Sequence, residues 1–121
     1  MQVSVQDRSV LYAAKGAELV PEGLYESALI DVRPFNNAHG QRVGLVFEIT
    51  AGLHRGIELM ESAALNGSPR GKLAELIRGM GGADGSLETA RELIGRRCRI
   101  AVRHESNRAG KTYAAIAQTF T

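Results

Sequence analysis

Between Arg97 and Arg103 the sequence alternates, with arginines at 97, 99 and 103 and Cys98, Ile100 and Val102 at the even positions. Successive side chains of a β-strand point to opposite faces, so this run has one apolar face and one cationic face. A polar stretch from Glu105 to Lys111 follows, then a second β-like run from Thr112 to Phe120 with Tyr113 near its start. The pattern predicts a β-hairpin with a row of cations on its outer face, a surface suited to a polyanion. The plainer alternative is that the arginines only guard a sheet against edge pairing.

Charge is unevenly distributed along the chain. From Arg96 onward there are six basic residues and one acid; the rest of the sequence holds nine basic and twelve acidic residues. Such asymmetry points to a directed field rather than to solubility alone. At 121 residues and 44% hydrophobic content, the chain suits one folded domain with one core. Aromatic residues make up only 5%, so the core is expected to be aliphatic and any exposed ring is a clue. The single cysteine, Cys98, falls on the apolar side of its strand and reads as a buried structural thiol. No secretory leader pattern is visible, and no apolar run approaches the ~20 residues of a membrane span. A soluble, cytoplasmic protein is expected, within a bacterial host if the chain is phage-encoded.

Residues 1–22 are weakly patterned and read as a partly ordered arm; Pro21-Glu22-Gly23 then opens a domain spanning 23–121. Leu24 to Arg33 reads as a first strand with apolar residues on both faces, followed by a loop from Pro34 to Gly40. Gln41 to Thr50 is the cleanest strand, with Val43, Leu45, Phe47 and Ile49 on one side. Ile57 to Ser62 is a third, with Ile57 and Leu59 inward and Glu58 and Met60 outward. Ser68 suits a helix N-cap and Pro69 the first helical position, and Leu73, Leu76, Ile77 and Met80 form one apolar face before Gly81-Gly82. A shorter helix over about Leu87 to Ile94 precedes the hairpin.

The predicted class is mainly β with one or two helices. Five strands with the helix between strands 3 and 4 is the plan of the OB-fold, a small Greek-key barrel; the runner-up is an open α+β sheet with helices on one face. OB-folds bind across strands 2 and 3, gripped by the 1–2 and 4–5 loops. That frame nominates Phe35 in the first loop, Arg42 on strand 2 and Arg55 before strand 3. It adds Arg97, Arg99 and Arg103 on strand 4, and Arg108, Lys111 and Tyr113 at the second loop. Cations along a phosphate backbone and rings for the bases are what a single strand needs. Phe35 and Tyr113 are the best-placed rings, the alternatives being a barrel plug and a cross-strand partner respectively; Phe47 belongs to the core.

No catalytic pattern emerges. Asp31, Glu48, Glu58 and Glu61 lack a nuclease-like spacing, and His39, His54 and His104 are scattered. Cys98 and His104 do not make a zinc pattern, and the glycines at 79, 81, 82 and 85 lack a dinucleotide fingerprint because Asp84 holds the third position. Neither enzyme activity, nor a cofactor, nor a metal is expected.

Pro21-Glu22-Gly23-Leu24-Tyr25, Ile30-Asp31-Val32, Val46-Phe47-Glu48-Ile49 with Gly52 and Arg55-Gly56, Ser68-Pro69-Arg70-Gly71-Lys72-Leu73, and Leu93-Ile94-Gly95-Arg96-Arg97-Cys98 together resemble a family of small phage and prophage proteins. The resemblance covers roughly residues 20 to 120. It implies an OB-fold protein that binds single-stranded DNA in phage replication or recombination, with replication or recombination proteins as partners. One departure stands out: the chain ends Ala117-Gln118-Thr119-Phe120-Thr121, without the acidic tail through which bacterial single-strand-binding proteins commonly recruit partners. The expected function is non-catalytic binding of single-stranded DNA, with RNA as the other nucleic-acid candidate and little sequence preference. The rival is a protein-interaction or oligomerisation module that binds an acidic partner or a second copy of itself; no membrane association is expected.

Overall fold

The computed structural model describes residues 19–121. Most of the expected N-terminal arm lies outside the described residues. Five antiparallel strands form one sheet: β1 (Gly23–Asn37), β2 (Gly40–Ile49), β3 (Glu58–Ala64), β4 (Arg97–Ser106) and β5 (Thr112–Phe120). Two short helices, α1 (Lys72–Gly79) and α2 (Leu87–Glu92), lie between β3 and β4 in the chain. The order across the sheet is β3-β2-β1-β4-β5, so β1 is flanked by β2 on one side and β4 on the other. The mainly β class is as expected. The backbone ladder is open between β3 and β5.

The alternation in the sequence becomes burial in the strands. Val43, Leu45, Phe47 and Ile49 of β2 are fully buried, as is Ile100 of β4, with Cys98 and Val102 nearly so. Arg97, Arg99 and Arg103 point outward and are exposed. On α1, Leu73, Leu76 and Ile77, with Met80 at its C-cap, bury the predicted apolar face.

Several boundaries differ from expectation, β3 among them, which begins at Glu58 and runs to Ala64. β1 continues through Pro34 to Asn37, so only Ala38 and His39 separate it from β2. Asn37 Oδ1 accepts from His39 N at 2.8 Å, and Gly40, at φ 110°, closes the turn. Proline is tolerated there because β4 pairs only with residues 23–28, leaving that part of β1 an edge. α1 starts at Lys72 rather than Pro69: Ser68 Oγ accepts from Arg70 N and Ser68 O from Gly71 N, a separate turn, and Gly71 occupies the N-cap. α2 ends at Glu92, two residues early. Its start is well capped, with Ser86 Oγ accepting from Thr89 N and Asp84 Oδ1 accepting from both Ser86 N and Thr89 Oγ1.

What ties the open edges together is a side chain. Glu61 pairs with Leu45 and so faces inward from β3. Its Oε1 accepts from Ile116 N of β5 at 2.8 Å, and its Oε2 meets Lys72 Nζ of α1 at 3.3 Å. Burial pushes its carboxyl above the ordinary range, against the opposing pull of the Ile116 amide and Lys72. α1 packs directly on β5: Thr119 Oγ1 donates to Leu76 O at 2.6 Å, and Gly79 sits so close that a Cβ there would lie 2.1 Å from Thr119 Oγ1. Before β1, Val20 is fully buried in the core, its carbonyl accepting from His104 Nε2 at 2.7 Å, while Glu22 Oε2 accepts from His104 N.

Two stability measurements check this account. Gly79→Ala must push α1 off β5, and urea unfolding should show a loss of about 1–3 kcal/mol or more; a neutral result would contradict the close approach. Glu61→Ala leaves the Ile116 amide without its acceptor and should cost about 1–3 kcal/mol. Because the folded carboxyl sits above its unfolded value, its stabilising contribution is full below the ordinary carboxylate range and declines as pH rises through the raised value. Glu61→Gln should flatten that part of the stability–pH curve; an unchanged slope would rule Glu61 out as its source.

Candidate nucleic-acid interface

Residues directly opposite in an antiparallel ladder share a face, so the register maps the outer surface. Along β4 the outward side chains are Arg97, Arg99, Ala101, Arg103 and Glu105. On the β1 side, Ala28 stands opposite Arg97, Glu26 opposite Arg99 and Leu24, 62% exposed, opposite Ala101. On the β5 side, Phe120 stands opposite Arg99, Gln118 opposite Ala101, Ala115 opposite Arg103 and Tyr113 opposite Glu105. Arg108 and Lys111 are exposed in the β4–β5 turn, which Asn107 braces through its Oδ1, the acceptor for Lys111 N at 3.0 Å. Tyr113 is 38% exposed and its hydroxyl donates to Glu105 Oε1 at 3.3 Å. Partial burial, with the Glu105 charge, pushes that phenol up, so it stays neutral.

A second group gathers at the β1–β2 hairpin. Phe35 lies on strand rather than in the loop where it was expected, 38% exposed and directly opposite Arg42. Arg42 is half-buried, with Nη2 donating to Ser62 Oγ of β3 at 3.2 Å. Phe35 and Arg42 line a shallow cleft of about 160 Å³ with Pro34, Asn36, Gln41 and Leu65. Nearby Arg33 is held by Asp31 at 2.6 Å. Arg55 stands apart from this group, exposed in the turn between β2 and β3. The structure thus brings Arg97, Arg99, Arg103, Arg108, Lys111 and Tyr113 onto one hairpin and leaves Phe35 and Arg42 on another.

The outer face of β2 and β3, at the other end of the sheet from the β4–β5 hairpin, carries Met60, Val46 and two acids. Met60 lies over Gly44, where a Cβ would meet its Sδ at 2.7 Å, and Val46 beneath is fully buried. Glu48 and Glu58 are paired directly across the ladder on the outer face.

Two β-bulges decide which rings face out. The shift between Leu29 and Asp31 makes Ile30 the extra residue, so Leu24 and Glu26 share the outer face with Asp31, Arg33 and Phe35 despite opposite parity. On β5 the shift leaves Ala117 extra, which puts Phe120 on the same face as Tyr113. Simple alternation separates Tyr113 from Phe120. The run Ala114-Ala115-Ile116-Ala117 has no alternation that would mark the shift.

Cys98 is buried with its Sγ 3.5 Å from Ser27 Oγ, and burial raises its thiol, in keeping with a structural role. Among the described residues, no group of three or more His, Cys, Asp or Glu side chains is arranged to hold a metal ion, and no helix is long and apolar enough to cross a membrane. No protein-family model matches the chain, and no curated protein matches it.

Proposed function

We propose that this chain is a non-catalytic protein of the OB-barrel type that binds single-stranded DNA, with RNA as the alternative nucleic acid and phage replication or recombination as the setting. Three features of the fold support the barrel reading. β1 is shared between two hairpins in Greek-key fashion, the helices fall between β3 and β4, and Glu61 bridges the two free edges.

The observation that carries the binding function is the exposed row of Arg97, Arg99 and Arg103, continued by Arg108 and Lys111. Same-face neighbours on a strand stand about 7 Å apart, a spacing that suits successive phosphates of an extended single strand. Exposed arginines cost little to hold and release counterions when they meet phosphates. Sequence preference is expected to be low, because the contacts go to phosphate and to the flat faces of bases.

Titration of a labelled oligothymidylate at several salt concentrations tests this. Binding should weaken with salt at a log–log slope of about −0.7 per phosphate contact. Replacing Arg97, Arg99 and Arg103 together by alanine should weaken binding to all sequences alike and flatten the slope by about 2. The same variant should keep its thermal midpoint, since all three side chains are exposed. A protein that binds no oligonucleotide at low salt, yet binds an acidic peptide, would transfer the surface to the protein-interaction reading.

A further inference from the structure

We propose that the nucleic acid runs along the β4–β5 hairpin and leaves the β2–β3 face empty, with phosphates on Arg97, Arg99 and Arg103 and bases on Tyr113 and Phe120. The inference rests on the single-strand-binding reading and says where that binding occurs.

Charge decides the path first. The outer face of β2 and β3 offers one arginine, Arg42, already engaged by Ser62, and carries Glu48 directly opposite Glu58. A phosphate chain crossing there would run past a carboxylate on each strand. The hairpin offers five cations, Arg97, Arg99, Arg103, Arg108 and Lys111, against the single acid Glu105.

Shape bears on the path as well. The β1–β2 turn itself is only Ala38 and His39, and no separate loop stands over the β2–β3 face from that hairpin. On that face Met60, itself exposed, lies against Gly44. On the hairpin, the positions between the rings are Ala115, itself fully buried, half-buried Ala101 and exposed Gln118.

The bulge at Ala117 then supplies the second ring. Without the extra residue Phe120 would point inward; with it, Phe120 stands outward opposite Arg99, as Tyr113 stands outward opposite Glu105. Half-buried Phe120 and exposed Tyr113 bracket the arginine row along one face. A ring beside a guanidinium is the arrangement that holds a base and its phosphate together.

The chain has no tryptophan, so a single introduced indole is the only emitter of its kind. In Phe120→Trp, saturating oligothymidylate should quench the emission strongly, with anisotropy affinity close to that of the parent. Phe35→Trp should bind equally well with its emission unchanged. Phe120→Leu, which preserves apolar bulk, should bind about fivefold or more weakly while keeping its thermal midpoint. Quenching in Phe35→Trp with none in Phe120→Trp would overturn the proposed path and leave single-strand binding intact. No binding by the parent protein at low salt would overturn both.

Discussion

A single carboxylate does for this sheet what a ladder of backbone hydrogen bonds does for most neighbouring strands. Glu61 reaches from β3 to the Ile116 amide of β5 and to Lys72 at the start of α1. Without those contacts the β4–β5 hairpin is joined to the rest of the sheet only through the ladder from β4 to residues 23–28 of β1. A buried carboxylate is expensive, and its upward shift shows that burial outweighs its two favourable partners. The expense brings cohesion: one group satisfies an edge amide, neutralises a lysine and sets the helix against both edge strands. The approach of Gly79 to Thr119 completes the closure on the β5 side.

The surface follows from that closure. Once β5 is held against β3 and α1, its other edge pairs with β4, and the outward row of β4 is displayed on a braced hairpin. The arginines themselves contribute little to stability, being exposed and, at Arg99, flanked by Glu26. The core depends on the even-numbered residues between them, Cys98, Ile100 and Val102. Folding and display are thus divided between the two faces of one strand, so the cations can serve a partner without a conflict with the core.

Much of this was legible in the sequence where period-2 patterning ran undisturbed. β2 and β4 declared their faces by alternation, the apolar face of α1 by its 3.6-residue spacing, and Cys98 and Phe47 by parity. What was hidden had local physical causes. A bulge adds one residue and inverts parity beyond it, so Ile30 and Ala117 changed the facing of Phe35 and Phe120 without altering the hydrophobic pattern much. Pro34 read as a loop residue because proline loses a ladder donor, yet half of β1 has no partner on its β4 side and nothing is lost. Ser68-Pro69 carried a helix-start signature, but the serine was used in a turn of its own. Glu61 shares parity with inward Leu59, so an acid at an inward position was the visible trace of the tie.

The division of charge over the outer face now limits how such a protein can hold a polyanion. Coulomb attraction to exposed arginines is screened within about 8–10 Å at moderate salt, so on the proposed reading the hairpin cations act on a polyanion only at close range. On that proposed reading, rings would supply the contribution that salt does not weaken. The described part of the chain has few of them on this face, and the bulge at Ala117 raises the number flanking the arginine row from one to two. The bulge places Phe120 opposite Arg99, and the Leu76–Thr119 hydrogen bond anchors the strand immediately before it.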